Sequence, residues 1–159
     1  MRIIGIDPGL STGWAVCTGE NTSCGVWQLR DPHQHPLGVF AQLLHGLIGV
    51  GSDSIDLIVY EEPVARGNAA KSLNRQLGAI IVVAEECKIP HYPVNPATLK
   101  KWATGNGRAD KDQMAIAAHR HGVRVTQYGT SLDDHNAVDA ALLALYGRDV
   151  VLPTMEAIE

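Results

Sequence analysis

The first apolar run of the chain, Ile3-Ile4-Gly5-Ile6, meets an acid at Asp7 and is then broken by Pro8-Gly9. β-Branched side chains fit a pleated surface and Pro-Gly supplies turn geometry, so residues 2–7 are predicted to form a buried strand with Asp7 at its end. Short strands are also expected at 13–18 and 25–29, separated by a polar stretch with Gly19, Asn21 and Ser23. The start of the chain thus predicts an antiparallel meander. Leu37, Phe40, Leu43, Leu44, Leu47 and Ile48 recur at three- and four-residue steps, the stripe of an amphipathic helix that Gly49 and Gly51 end. Residues 56–63, Asp-Leu-Ile-Val-Tyr-Glu-Glu-Pro, repeat the first pattern: apolar residues lead into carboxylates and a proline stops the strand, with Glu61 as a second acid at a strand end. Between 71 and 87, Leu73, Leu77, Ile80, Ile81 and Ala84 share one face without a proline, which predicts a long helix with Lys71, Asn74 and Arg75 near its start. His91–Val94 reads as a short strand and Pro96–Thr104 as a helix with proline in its first turn. A further helix is expected at 111–121 after a glycine-rich link, and a last, mostly buried one at 136–146.

Three strands, a helix, a strand, a helix, a strand and further helices, in that order, predict an α/β fold with a five-stranded mixed sheet flanked by helices. No repeat, low-complexity tract or linker interrupts the pattern. One domain is expected over 1–147, with 148–159, which hold Pro153 and little periodicity, as a detachable C-terminal tail. A chain of 159 residues buries roughly 70% of the surface its unfolded form exposes and needs no disulfide or structural metal. Cys17, Cys24 and Cys87 form an odd set without C-x-x-C spacing, which suggests neither a disulfide framework nor a zinc site. The apolar run 79–84 is far short of the ~20 residues that span a bilayer, and an acid already stands at position 7. A cytoplasmic location without a membrane partner is expected.

The net charge of −4 argues weakly against a nucleic-acid partner, but its distribution reverses the picture. Residues 66–124 carry ten Lys or Arg against four acids, whereas the rest of the chain carries three against thirteen. A basic middle between acidic flanks suits one surface that holds a phosphate backbone and another that holds cations.

Asp7, Glu61 and Asp139 stand where elements begin or end, the last in the first turn of the final predicted helix. Singly, each reads as a turn or cap residue. If neighbouring strand ends bring them together, they repel, and a divalent cation relieves the repulsion; hard oxygen ligands select Mg²⁺ or Mn²⁺. Such a cluster is the site of two-metal phosphodiester hydrolysis, in which one ion activates water and both stabilise charge on the phosphoryl oxygens.

Four stretches, Ile4-Gly-Ile-Asp7-Pro-Gly9, Val59-Tyr-Glu61, Thr104-Gly-Asn-Gly-Arg108-Ala-Asp-Lys111-Asp-Gln113 and Ala137-Val-Asp139-Ala140, taken in order and spacing, resemble the RuvC-type Holliday junction resolvases of the ribonuclease H-like superfamily. The similarity runs from Arg2 to about Tyr146, and its most specific part is the Gly-Asn-Gly-Arg-Ala-Asp-Lys stretch. The resemblance implies a homodimeric, metal-dependent endonuclease that nicks two strands of like polarity in a four-way DNA junction. It also implies Mg²⁺, with Mn²⁺ able to substitute and two ions per site, and leaves room for helicase partners. Asp7, Glu61 and Asp139 take the family's metal-binding positions; Glu61 is preferred to Glu62 because alternation turns Glu62 to the other face.

The family's fourth acid lies three residues before the last, and that register holds Asn136 here. His135, four before Asp139 and on its face, is the expected replacement, as ligand or base. Asp133 and Asp134 lie within reach too, with an N-cap role as the simpler reading for either. In the glycine-rich stretch, Gly105 and Gly107 permit close backbone approach to a phosphate, Arg108 and Lys111 supply charge, and Asp110 caps the following helix. Asn106, Gly107, Arg108 and Lys111 are the expected DNA-backbone contacts, and Lys100 and Lys101 extend that surface. Lys71, Asn74 and Arg75 match the family's helix beside the junction centre, where the dimer also forms. Trp14, Trp27 and Trp102 read as core or strand residues, and no base-stacking wedge is assigned. His33 and His35 read as loop residues.

Three other activities compete. A ribonuclease H-like nuclease acting on RNA or simple branched DNA would use the same acids. A protein that binds junctions without cutting them would account for Asn136. An actin-like ATPase shares the Ile-Asp-Pro-Gly opening, but it needs a second nucleotide-binding domain and another phosphate loop, for which the sequence shows no candidate.

Overall fold

In the computed structural model, which describes residues 1–30, 35–49, 54–64, 67–123 and 134–158, the opening meander forms β1 (Arg2–Asp7), β2 (Ser11–Thr18) and β3 (Asn21–Gln28). β3 begins four residues before the expected strand because the polar stretch belongs to it, and β2 begins two residues early, at Ser11. There Thr22 and Cys24 turn inward while Asn21 is exposed and Ser23 half-buried, a period-two pattern written in small polar residues that a hydrophobicity reading takes for loop. The connection shrinks to Gly19-Glu20, with Thr18 paired to Asn21 and Gly19 at φ +59°, a backbone region that favours glycine.

α1 (Pro36–Gly49) precedes β4 (Leu57–Glu61), α2 (Asn68–Glu86) and β5 (His91–Val94). α3 (Pro96–Thr104), α4 (Lys111–Arg120) and α5 (His135–Tyr146) follow. The five strands lie in the order β3-β2-β1-β4-β5. β1, β2 and β3 pair antiparallel, and β1, β4 and β5 pair parallel. The expected mixed sheet is therefore present, and β5 and α3 match the sequence pattern residue for residue. Among the described residues, no helix is long and apolar enough to cross a membrane.

The two faces of the sheet divide by alternation. Ile4, Ile6, Ile58 and Tyr60 face Phe40 and Leu44 of α1 and Ile80, Val83 and Ala84 of α2. Ile3, Leu57 and Val59 face the opposite core, built on α5 and closed by Leu99 of α3 and Met114 and Ala118 of α4. Asp7 and Glu61 share the parity of this second set. Ile6 is paired with Tyr60, so the two acids end adjacent parallel strands side by side on the α5 side.

α5 is apolar nearly all round, from Ala137 to Leu145, because it lies between the sheet and α3–α4. It approaches the sheet closely enough that a Cβ at Gly5 would collide with the carbonyl oxygen of Ala140, and one at Gly13 with that of Asn136. The chain then continues through a π-helical turn, Gly147–Val151, into α6 (Leu152–Glu156). Within the expected tail at 148–159, Val151 is buried in the α5 core, and just before it a Cβ at Gly147 would lie 2.6 Å from Val59 Cγ2. The weak periodicity of the segment reflects its π-helical turn, which shifts the spacing of inward positions away from 3.6.

Gly5→Ala is expected to destabilise the fold by about 3 kcal/mol or more, because its Cβ would meet the backbone of Ala140 and Ala144 on α5, which cannot yield as a flexible side chain would. Gly38→Ala, in open space on α1, is expected to be neutral or to stabilise by up to about 1 kcal/mol. Denaturant unfolding of the two variants against the parent checks both; similar stability for the pair would contradict the close approach of α5.

Candidate active site

Three elements deliver the acids. Asp7 ends β1, Glu61 ends β4, and Asp139 lies on α5, each half-buried. α5 begins at His135, one residue earlier than the pattern predicts, which puts Asp139 in its second turn instead of its first. Asp134 caps this helix, its Oδ1 accepting the Asn136 N–H at 3.0 Å. Glu62, on the other parity, is exposed, and its N–H donates to the Val94 carbonyl.

The acids feel one another. Burial pushes the Asp7 carboxyl well above the usual range, and the charges of Glu61, Asp139 and Asp134 push it further. Glu61 rises to about 7, mainly through burial and then through Asp139, while Lys100 pulls it back. Asp139 is also raised by burial, opposed by Lys100, His135 and Lys111. Two lysines therefore offset the cluster without neutralising it. Among the described residues, no three His, Cys, Asp or Glu side chains already converge as ligands of a single ion. The chemistry of the donor set nonetheless fits a hard divalent cation: carboxylate oxygens predominate, and ionising all of them at neutral pH requires more positive charge than Lys100 and Lys111 bring.

His135 and Asn136 diverge. His135 lines a cleft of about 100 Å³ with Lys100, Asp110, Lys111, Met114, Val138 and Asp139. Its Nδ1 is buried without a hydrogen-bond partner. Asn136 instead lines a depression with the loop Pro8–Ser11, Arg30, Ser72 and Leu73, on the other side of α5's first turn. Asp133 lies outside the described residues, as do His33, Arg66 and Arg124.

The glycine-rich stretch is built by its own side chains. Asn106 Oδ1 accepts the Arg108 N–H at 3.0 Å, and Thr104 Oγ1 accepts the Asn106 N–H at 3.1 Å. Gly105 caps α3 at φ +81°, and a Cβ at Gly107 would lie 3.2 Å from the Ala97 carbonyl oxygen. Both glycines thus have a reason within the loop itself, distinct from the expected approach to a phosphate. Asp110 caps α4 as expected, and the structure adds a reciprocal box with Gln113. Asn106, Arg108, Lys111 and Lys101 are exposed, while Lys100 is half-buried beside the acids and Gly107 is half-buried against α3. Lys71, Asn74 and Arg75 are exposed on α2, apart from this loop, and Arg75 lines a second groove with Leu10, Ser72 and Gln76. Trp14 stacks on Trp27, and Trp102 packs edge-on against Tyr146, in keeping with core and strand roles.

One residue escaped the sequence pattern. Gln76 of α2 is 4% exposed, and its Nε2 donates to the Gly9 carbonyl at 3.0 Å and to Thr12 Oγ1 at 3.3 Å. The available signal was an amide set at an inward helical position between Leu73 and Ile80.

No protein-family model matches the chain. Curated relatives do. A Corynebacterium glutamicum protein named crossover junction endodeoxyribonuclease RuvC is 32% identical over 156 residues, which span 91% of this chain and 68% of that protein. A Rickettsia africae protein of the same name is 31% identical, spanning 94% of this chain and 99% of the relative. Among solved structures, T. thermophilus RuvC in complex with Holliday junction substrate superposes with a TM-score of 0.71, at 22% identity over 97% of this chain and 96% of that one, a likeness of fold.

Raised carboxyl pKa values mean that the ion-free folded protein binds more protons than the unfolded chain between about pH 4, where free carboxyls titrate, and the folded value of about 7 for Glu61. Stability in EDTA should therefore fall as pH rises through this window, on the order of 3 kcal/mol from Glu61 alone. Asp7→Asn should raise the melting temperature at pH 8 in EDTA and flatten the dependence. Thermal unfolding from pH 5 to 8 checks this, and a parent protein whose stability rises across the window would show that neither burial nor repulsion raises the acids.

Proposed function

The chain belongs to the RuvC family of crossover junction endodeoxyribonucleases, and we propose that it hydrolyses phosphodiesters at four-way DNA junctions through Asp7, Glu61 and Asp139. The observation that carries this assignment of residues is the meeting of three acids from β1, β4 and α5, each held toward neutrality by burial. An enzyme gains nothing in stability from such a cluster, and its cost marks a functional site.

In this reading Asp7, Glu61 and Asp139 would hold Mg²⁺, or Mn²⁺ in its place, and the chemistry such ions would supply is an activated water and neutralisation of charge on the scissile phosphate. His135 takes the fourth place. Its buried, unpartnered Nδ1 supports a role in binding the ion or accepting a proton from the water. Lys100 and Lys111, whose charge reaches the acids, hold the scissile phosphate beside them. Asn106, Gly107, Arg108 and Lys101 carry the strand onward over the α3–α4 loop, where the fixed loop geometry presents their donors at low entropic cost. Lys71, Asn74 and Arg75 on α2 contact the junction near its centre. Two symmetric nicks in strands of like polarity call for two sites related by a two-fold axis, so the active form is a homodimer. Light scattering with and without junction measures that state directly.

Incubation with a labelled immobile four-way junction and a matched linear duplex, in Mg²⁺, Mn²⁺ or EDTA, tests metal, substrate and reaction together. Paired, metal-dependent nicks in the junction alone are expected. Equal cutting of duplex or RNA hybrid would favour a less selective nuclease, and tight binding without cutting would mark a site impaired at Asn136. Asp7→Asn and Glu61→Gln are each expected to slow nicking by more than about a hundredfold. His135→Ala should lose turnover and keep junction binding, whereas a larger effect from Asn136→Ala would move the fourth place to that residue.

Junction binding in EDTA should weaken steeply with salt, and Lys111→Ala should lower the slope of log K against log salt by about 1, alike for junctions of different sequence. A flat salt response measured by gel shift would contradict the proposed basic surface.

A further inference from the structure

The turn that follows Asp7 is held from outside its own strand. Gln76 Nε2, on the buried face of α2, donates to the Gly9 carbonyl at 3.0 Å, and Thr12 Oγ1, on β2, donates to the same oxygen at 2.6 Å. The two side chains also touch each other, Gln76 Nε2 lying 3.3 Å from Thr12 Oγ1. Thr12 is fully buried and Gln76 nearly so. One residue further on, the Leu10 carbonyl accepts the Leu29 N–H at 2.8 Å. A buried amide among Leu73, Leu77 and Ile80 carries a desolvation cost that an apolar side chain at the same place would avoid. The donors of both polar residues converge on a single carbonyl, two residues past Asp7.

The geometry points to Gln76, supported by Thr12, as a positioning residue that holds the Asp7-Pro8-Gly9 turn and so presets the Asp7 carboxylate for a divalent cation. The inference rests on the assignment of Asp7 as a metal ligand. Asp7 stands among like charges that push it away, and strand pairing restrains it on one side only, where it faces Gly13 of β2, since the pairing of β1 with β4 stops at Ile6. Pro8 fixes one backbone torsion of the turn. The Gly9 carbonyl anchors the remainder to α2, the helix that carries Lys71, Asn74 and Arg75 on its outer face. Gln76 adjoins Arg75 in sequence and lines the same groove, so the helix proposed to contact the junction is joined by one side chain to the turn of the active site. Groups hydrogen-bonded to a metal ligand typically change metal affinity about 10- to 100-fold when removed, and Gln76, acting through the turn two residues past Asp7, belongs at the lower end of that scale.

Gln76→Met keeps the length of the side chain and removes the amide. In the full chain, three quantities are compared with the parent: junction affinity in EDTA, the Mn²⁺ concentration that half-saturates the rise in melting temperature, and the single-turnover nicking rate at saturating junction. Unchanged junction affinity is expected, with about tenfold more Mn²⁺ needed for half of the thermal shift and a comparable fall in nicking at limiting Mn²⁺. Thr12→Val should shift the Mn²⁺ dependence in the same direction, and Thr12→Ser should restore it. A folded Gln76→Met with the parental Mn²⁺ dependence overturns the inference. So does a variant that loses junction affinity and Mn²⁺ affinity to the same degree, which describes general loosening of the fold. Should Gln76→Met fail to fold, the contrast between Thr12→Val and Thr12→Ser decides, since equal Mn²⁺ dependence in those two also overturns it. Asp7→Asn separates this inference from its premise: the substitution should abolish the Mn²⁺-induced rise, and its persistence would remove Asp7 from the site whatever Gln76 does.

Discussion

The close approach of α5 to the backbone of β1 and β2 governs the rest of the structure. Gly5 and Gly13 have no side chain to hold the helix off, and the carbonyl oxygens of Ala140 and Asn136 occupy the space that Cβ atoms would take. Alanines at 137, 140, 141 and 144 continue the same fit along the buried helix. A helix seated this close sets Asp139 against the ends of β1 and β4 without a long side chain or a flexible loop. The acids therefore rest on rigid elements, whose positions are set by packing on both sides of the sheet.

That packing works against electrostatics at one place. Burial and mutual repulsion raise Asp7, Glu61 and Asp139 together, and Lys100 and Lys111 offset only part of the charge. The fold tolerates the conflict because the apolar cores on the two faces, one around α5 and one around α1 and α2, are large and continuous. Local restraint adds to them: Asp134 caps α5, and the polar pair Gln76 and Thr12 grips the turn after Asp7. Side chains that look like caps and core defects thus surround the acids and limit how far repulsion can move them.

The α3–α4 connection follows a similar logic. Its side chains spend part of their hydrogen-bonding capacity on the loop itself, Asn106 on the Arg108 N–H and Asp110 on the start of α4. The charges of Arg108 and Lys111 remain exposed. A preformed loop with free cations suits a polyanion better than a mobile one, because less ordering entropy is lost on contact.

Much of this was legible before any tertiary structure. Two apolar runs ending in acids, the spacing that makes α2 and α5 helical, and the capping pattern at Asp110 are local properties, and alternation alone assigned Glu61 and Glu62 to opposite faces. Hydrophobicity misjudged the length of β3, where Thr22 and Cys24 do the inward packing, and the weak pattern after Tyr146 follows a π-helical turn that breaks the usual period. The sequence by itself determined that Asp7 and Glu61 end strands, because strand length, turn chemistry and side-chain parity are decided over a few neighbouring residues. Only the tertiary structure decided that β1 pairs with β4, that His135 and Asn136 open onto different clefts, that Gly107 packs on α3, and that Gln76 reaches Gly9 across 67 positions of chain. Contacts of that kind depend on how separate elements pack, and no local pattern of residues encodes the distance between them.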